Sequence, residues 1–403
     1  MHIGMIAYTN YEYDPRVRRE AESLAARGDR VDFLCLREIN GLRTRTLTGV
    51  RLLYLNAGKY RGENTFRYLL SYFRFFVHAT YRIAVEHARH RYDIVHVHTM
   101  PDFIVFSALI PKIFGAKVVL DVHDLTPELY ASKFAAGRRV RVIQFLTFVE
   151  RCSIAFAHKA IAVHRPHLEA LVSHGNPRDK FFVLLNTPDE KIFDRASPAV
   201  QRQAGLFRVI YHGAISRRHG LEVAIRAVAA VRRRIPSLSF EIIGAGDDVS
   251  RLKRLADELS LGDAVKFVGP VPLQELSAVI RSADLGLIPI QNDVFTKYML
   301  PTKLLEYVFL GIPCIASRTT TIESYFDDSM VRYVKAGDAE ELANALSDLF
   351  HHPDKRSALV ENANRFNEEF SWEKQKILFY RFVDDVAGKT TRSAVANRYQ
   401  EEE

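Results

Sequence analysis

Short apolar runs alternate along the chain with longer stretches in which apolar positions recur at helical spacing. His2–Tyr8 reads as a strand. Asp14-Pro15 reads as a helix cap and first helical position, and Val17, Ala21, Leu24 and Ala25 keep the helical period until Gly28 stops it. Val31–Leu36 is the next strand, and strand–helix–strand order predicts a parallel sheet. The alternation continues with strands at Val50–Asn56, Asp93–His98, Lys117–His123, Lys159–Val163 and Phe181–Leu185. Helices are expected over Phe66–His90, Asp102–Phe114, Arg138–Ala157 and Pro166–His174. The polar stretch Asp194–Leu206, with Pro198 and Gly205, predicts a linker. A second array follows, with strands at Phe207–Gly213, Leu238–Gly244, Val265–Val268, Leu285–Ile290, Cys314–Ser317 and Val331–Val334. Three further helices close the array, ending with Trp372–Val386, and residues 388–403 are expected to be a polar, disordered tail. The fold class predicted is α/β: two Rossmann-like, doubly wound parallel sheets facing a cleft, with domains at 1–193 and 207–369.

Composition adds little to this picture, but charge adds something. With 48% hydrophobic and 26% charged residues the chain has the profile of an ordinary globular protein. Its three cysteines, Cys35, Cys152 and Cys314, lie far apart in no metal or redox spacing, which predicts a reducing, cytoplasmic setting. The chain enters a strand directly without signal-peptide features, and no apolar run is long enough to span a bilayer. Residues 1–200 hold 29 Lys and Arg against 20 Asp and Glu, a balance of +9, whereas residues 201–403 hold 27 against 28. The basic excess of the first half suits an anionic surface: a membrane, a phosphorylated acceptor or nucleic acid. The helix at 66–90 concentrates it. Arg67, Arg74, Arg82 and Arg89 fall within a sector of roughly 80° bordered by aromatic residues, which fits either a membrane-surface helix or a crossover helix with a wet basic face.

Candidate chemistry gathers at strand ends. Lys297–Glu323 reads as a helix starting at Pro301, capped by Gly311 and blocked from resuming by Pro313, and followed by a buried strand. Its first turn offers the free N–H groups of Thr302 and Lys303 to a phosphate, and Glu306, one turn on, could accept from a vicinal diol such as a ribose. A buried helix whose Glu complements its own dipole is the plainer alternative. The glycines at 213, 220, 244 and 246 lie at strand-to-helix turns where a phosphate or sugar could approach the backbone, and Arg217 and Arg218 occupy the first of those turns. His123, Asp124 and Glu128 follow a strand at its carboxyl end, where open sheets bind ligands. His96 and His98 share a sheet face without a third metal ligand nearby. The loop Thr9–Tyr13 lacks the glycines of a dinucleotide fingerprint.

Taken in order, several segments resemble the retaining glycosyltransferases of family 4, on the two-lobed GT-B fold, over about residues 1–386. They are Asp14-Pro-Arg-Val-Arg-Arg-Glu20, Tyr92-Asp-Ile-Val-His-Val-His98, Val122-His-Asp124 with Pro127-Glu128, His212-Gly213 with Arg218-His-Gly220, Glu241–Gly246, and Pro301–Glu306 through Pro313. The branch resembled acts in bacterial polysaccharide and surface-glycan assembly. The resemblance implies transfer of a hexosyl or N-acetylhexosaminyl group from a UDP-, GDP- or ADP-sugar to a glycan or lipid-linked hydroxyl, with anomeric configuration retained and without metal or cofactor. It implies that Glu306 holds the ribose, that the amides of Thr302 and Lys303 bind the diphosphate with Arg217, Arg218, Gly213 and Gly244 beside them, and that His123 lies near the donor sugar. Asp14, Arg16, Asp124 and Glu128 are expected on the acceptor side. Arg67, Arg74 and Arg82 are the membrane-contact candidates, and the last helix is expected to cross back onto the first domain. The chain departs from the pattern in lacking the usual glycine loop of the first domain and at three residues of the second. Tyr298 stands where the first Glu of the E-x7-E motif belongs, and Ala214 and His219 replace the Arg and Lys of the phosphate-binding turn. Competing readings are a sugar-nucleotide 2-epimerase on the same fold, a non-catalytic nucleotide-sugar binder motivated by those departures, and, weakest, a nucleic-acid binder.

Overall fold

The computed structural model of the protein describes residues 1–36, 43–58, 65–133, 140–195 and 205–389. Most of the expected linker and the expected tail from residue 390 lie outside the described residues. The chain divides into two compact units: Met1–Thr126 with Val140–Leu184 and Gln375–Glu403, and Leu185–Lys374 with Pro127–Arg139.

The first unit carries strands β1 (His2–Ala7), β2 (Arg30–Leu36), β3 (Thr44–Leu47), β4 (Val50–Leu55), β5 (Ile94–His98), β6 (Lys117–Val122), β7 (Lys159–Ala162) and β8 (Phe181–Val183), in the order β3-β4-β2-β1-β5-β6-β7-β8. Every pairing is parallel except β3 with β4. The antiparallel edge strand β3 was not anticipated. It is mostly exposed and polar, and it turns into β4 through Thr48 and Gly49, both at positive φ (48° and 81°), as a two-residue hairpin demands. From Gln375 the last helix, Trp372–Val386, belongs to this unit. Tyr380 donates its hydroxyl hydrogen to Ser23 O at 2.7 Å, Arg27 pairs with Asp384 at 3.0 Å, and the Phe182 and Phe382 rings stack at 4.7 Å.

The second unit carries β9 (Phe207–His212), β10 (Leu238–Ile243), β11 (Val265–Gly269), β12 (Leu285–Ile288), β13 (Cys314–Ser317) and β14 (Arg332–Val334), all parallel, in the order β11-β10-β9-β12-β13-β14. Its core joins β9 and β10 to the apolar faces of the helices Leu221–Val231 and Ala339–His351. The order reverses between β9 and β12. At such a switch the flanking helices leave on opposite faces, so a crevice opens at the carboxyl ends of those two strands. His212 closes β9 there, and Gly213 follows.

Candidate active site

The helix Thr302–Leu310 reaches this crevice with its first turn. Pro301 is its cap, at φ −63° and ψ 124°, one position outside the helix that the sequence places it in; the residue after it is the first with helical geometry. Gly311 ends the helix at φ 71°. Leu304 N–H bonds to Pro301 O at 2.9 Å, while among the described residues the N–H groups of Thr302 and Lys303 have no partner. Two backbone donors and the positive helix end therefore converge on one spot.

Glu306 is already engaged, which the sequence did not foretell. Its Oε2 pairs with His212 Nε2. The Nδ1 of His212 lies 3.0 Å from Tyr307 Oη, and that hydroxyl donates to Ile210 O at 3.3 Å. The Glu306 carboxylate can only accept, so Nε2 carries the hydrogen directed at it, while Nδ1 faces the Tyr307 hydroxyl. The chain Ile210–Tyr307–His212–Glu306 thus fixes one carboxylate oxygen of a half-buried Glu306 and leaves the other for a ligand hydroxyl.

Lys303 points inward. Its ammonium lies 3.2 Å from Tyr211 Oη and 4.5 Å from the centre of that ring. Burial pushes the group down to about 8; Glu306 opposes that shift and Arg218 reinforces it. His219 is buried and pushed down to about 3, by burial first and then by Lys303 and Arg218, so it is a neutral imidazole at physiological pH. Arg218 holds its guanidinium 5.5 Å from the centre of the Phe295 ring and has a buried Nε with no partner, whereas Arg217 is exposed. Tyr298 is half-buried under Lys297, whose ammonium is 4.7 Å from the ring centre.

Three of the four turn glycines serve packing, contrary to expectation. A Cβ at Gly244 would lie 1.9 Å from Gly213 O, and one at Gly220 would lie 1.7 Å from Pro289 O. Backbone occupies the space offered to a ligand, and Gly246 meets Ile215 O in the same way at 1.8 Å. Gly213 differs: its neighbour is the Lys303 side chain, with Cε 3.3 Å from where a Cβ would sit.

In the first unit, the expected acceptor residues are largely structural. Asp14 caps the helix Pro15–Ala26 by accepting from Val17 N–H at 3.4 Å. Arg16 is buried and grips Asp121 with two bonds, Nε to Oδ2 at 2.9 Å and Nη2 to Oδ1 at 2.8 Å, and donates to Leu184 O at 3.2 Å. A guanidinium so committed is unavailable to an acceptor. Asp121 also binds His123 Nε2 at 2.8 Å and His98 Nδ1 at 3.1 Å. Burial alone would lower His123; the Asp121 carboxylate outweighs it, so His123 rises above its ordinary value. His96 is driven well below its ordinary value by burial and by His98. Glu20, His96, His98 and Asp121 bring their ligand atoms within 4.8 Å of one another. Glu20 and Asp121 are thus ligand-type groups beside the two histidines that the sequence did not reveal, and Arg16, 2.8 Å from Asp121 and 3.3 Å from Glu20, is the guanidinium set against both carboxylates. Asp124 and Glu128 are half-buried; Glu128 opens the helix Thr126–Lys133 and groups with the second unit. On the helix Thr65–Arg89, Arg67 and Arg74 are exposed. Arg82 is half-buried and paired with Glu86 at 3.0 Å, beside Arg51, and so is not a free surface charge.

Two family descriptions match the chain: "Glycosyl transferase 4-like domain" over residues 13–187 and "Glycosyl transferases group 1" over residues 193–366. The chain belongs to the group 1 glycosyltransferases. Among related sequences, D-inositol 3-phosphate glycosyltransferase of Corynebacterium urealyticum is 25% identical over 394 residues, 91% of this chain and 89% of that one. The enzyme of the same name from Corynebacterium jeikeium is 29% identical over 205 residues, and the match spans about half of each chain (48%). Among solved structures, sucrose-phosphate synthase of Thermosynechococcus elongatus aligns at a TM-score of 0.78 with 20% identity, covering 96% of this chain and all of that one. Anabaena HepE in complex with UDP-glucose aligns at 0.68 with 15% identity, over 96% and 100%. The two parallel-sheet units, with these neighbours, fit the GT-B fold.

In this group 1 glycosyltransferase the unpartnered helix end at Thr302 and Lys303 and the carboxylate of Glu306 both lie within the second unit. Sequence reasoning missed His212, Tyr211 and Tyr307. The signal available was their apolar setting: a histidine and two tyrosines buried at one strand end and one helix face need polar partners.

Proposed function

We propose that the protein is a retaining glycosyltransferase that moves a hexosyl or N-acetylhexosaminyl group from a nucleoside-diphosphate sugar to a hydroxyl of a glycan or lipid-linked acceptor in bacterial surface-glycan assembly. The observation that carries this reading is the convergence, at the switch point of the second sheet, of two unpartnered backbone N–H groups, the cations of Lys303 and Arg218, and the oriented carboxylate of Glu306. An anion site beside a diol acceptor suits a nucleoside diphosphate. That HepE was solved with UDP-glucose and that the corynebacterial relatives are named glycosyltransferases supports the donor class.

In the reaction, the bond between the anomeric carbon and the diphosphate oxygen breaks, and the acceptor oxygen bonds to that carbon on the same face. The acceptor hydrogen passes to the departing phosphate oxygen, so no protein base is required. Charge grows on the leaving diphosphate, and the helix end and the two cations stabilise it where it develops. These groups make a metal ion unnecessary.

The acceptor is proposed to be met at an anionic membrane, by peripheral contact from the cytoplasmic side. No described helix is long and apolar enough to cross a membrane. On the helix Thr65–Arg89, however, Phe66, Leu69, Leu70, Phe73, Val77 and Tyr81 are exposed within a sector of roughly 120°, flanked by Arg67 and Arg74. The neighbouring helices Leu109–Ile113 and Val140–Phe156 leave Ile113, Phe145 and Phe148 exposed as well.

A thermal-shift screen with UDP, GDP, ADP and CMP identifies the nucleotide. Incubation with the matching nucleotide-sugar and an acceptor panel in EDTA, followed by NMR of the anomeric centre, is expected to give a product of unchanged configuration. Epimerised nucleotide-sugar formed without acceptor, or no stabilisation by any nucleotide, refutes the reading.

A further inference from the structure

The turn between Gly213 and Gly220 has a neutral residue at each of its two expected basic positions, Ala214 and His219. Close by, the fold buries an ammonium that it does not satisfy. Lys303 is 8% exposed, and among the described residues its hydrogen-bond partner is Tyr211 Oη. That hydroxyl gives its own hydrogen to Ala214 O, so it accepts one hydrogen of the three that the ammonium carries. Two remain without an acceptor. A buried charge in this condition costs free energy that an aliphatic residue of the same length would not. Nor does the local field justify it: Glu306 attracts the ammonium, but its Oε2 is bound to His212, and Arg218 repels it. The buried ammonium and the half-buried Arg218 guanidinium repel each other until an anion joins them.

The position of the ammonium is as telling as its deficit. Lys303 and His219 both border the Tyr211 ring, at 4.5 Å from ammonium to ring centre and 6.2 Å between ring centres. Gly213 leaves the lysine stem its space. We propose that the Lys303 side chain, delivered by the helix instead of the turn, supplies the cation that neutralises the donor diphosphate in the place left by the neutral residue at 219. The inference rests on the donor site proposed above.

The test compares nucleoside diphosphates with their monophosphates by isothermal titration, using UDP with UMP and GDP with GMP, on the full chain. In the wild type the better-bound diphosphate is expected to exceed its monophosphate by tenfold or more. Lys303→Met should reduce that ratio at least tenfold while monophosphate affinity moves less than threefold, and H219K in the K303M background should restore most of the ratio. Because Met removes a buried charge, K303M should also melt no lower than wild type, which separates loss of binding from loss of fold. An unchanged ratio in K303M overturns the inference and leaves the donor site standing. Failure of H219K to restore anything overturns the exchange of positions. A wild type that binds no diphosphate overturns the donor site itself, and the inference with it.

Discussion

Removing the charge at position 303 should stabilise the empty protein, and by an amount that depends on pH in one direction. Lys303 titrates at about 8 in the folded chain, against 10.5 for an ordinary lysine, because burial disfavours its charged form. At 1.36 kcal/mol per pH unit, that gap is a penalty of about 3 kcal/mol on the folded state wherever lysine is protonated in both states. The sign follows from proton counting. Between pH 8 and 10.5 the unfolded chain holds this proton and the folded chain has lost it, so wild-type stability rises with pH across that window. Below pH 8 both states are charged and the whole penalty is present. Lys303→Met removes the group from both states at nearly constant volume. It also forfeits a hydrogen bond to Tyr211 worth about 1 kcal/mol. The variant is therefore expected to be more stable than wild type by about 2 kcal/mol at pH 7, and this advantage should vanish by pH 10.5. Urea unfolding of both proteins at pH 7, 8.5 and 10, without nucleotide, reads the difference directly. A K303M advantage that is absent at pH 7, or equal at pH 7 and pH 10, refutes the claim that the ammonium is buried at a cost.

Two further perturbations bear on the first unit. Arg16→Met leaves Asp121 as a buried carboxylate without its guanidinium and should cost about 3–5 kcal/mol in urea unfolding; a loss below 1 kcal/mol with turnover abolished would return Arg16 to the acceptor side. Replacing Phe73, Phe145 and Phe148 together by Ser should weaken co-sedimentation with phosphatidylglycerol vesicles by about tenfold per residue, and Arg67→Ser with Arg74→Ser should weaken it further only at low salt. Equal sedimentation of all forms would make that face merely exposed.

Thirteen of the strands and their parallel pairing could be read from apolar runs separated by helical periods, because a strand covered on both faces must be apolar throughout. The strand Thr44–Leu47 could not: it is polar, and only the turn at Thr48-Gly49 marks it. The helix Thr302–Leu310 was legible for a similar reason. Pro301 and Gly311 are punctuation that acts locally, and an unpartnered N–H in a first turn follows from helix geometry whatever the rest of the chain does. What stayed hidden depends on partners far away in sequence. His212 meets Tyr307 across 95 residues and Arg16 meets Asp121 across 105, and neither pairing leaves a trace in local spacing. Hence Arg16 read as an acceptor ligand, Arg82 as a surface charge and Gly244 as an opening for substrate. Each is a residue type whose role is decided by what lies opposite.

The same distinction explains how the turn can have neutral residues at 214 and 219 without the proposed donor site losing its character. Backbone donors fix where the anion goes, and they depend only on the strand order and on one helix starting at the switch point. The compensating positive charge carries no such constraint. It must lie within a few ångströms of the anion, and any element bordering that spot can bring it. In this chain Tyr211, on the strand that leads into the turn, touches both His219 of the turn and Lys303 of the helix, so a cation lost from one is within reach of the other. The cost of this arrangement falls on the empty protein, as an ammonium buried short of acceptors. Diphosphate binding relieves that cost, so affinity for the donor and instability of the empty fold have one origin at position 303. A variant that gained stability there while keeping full diphosphate selectivity would break that link.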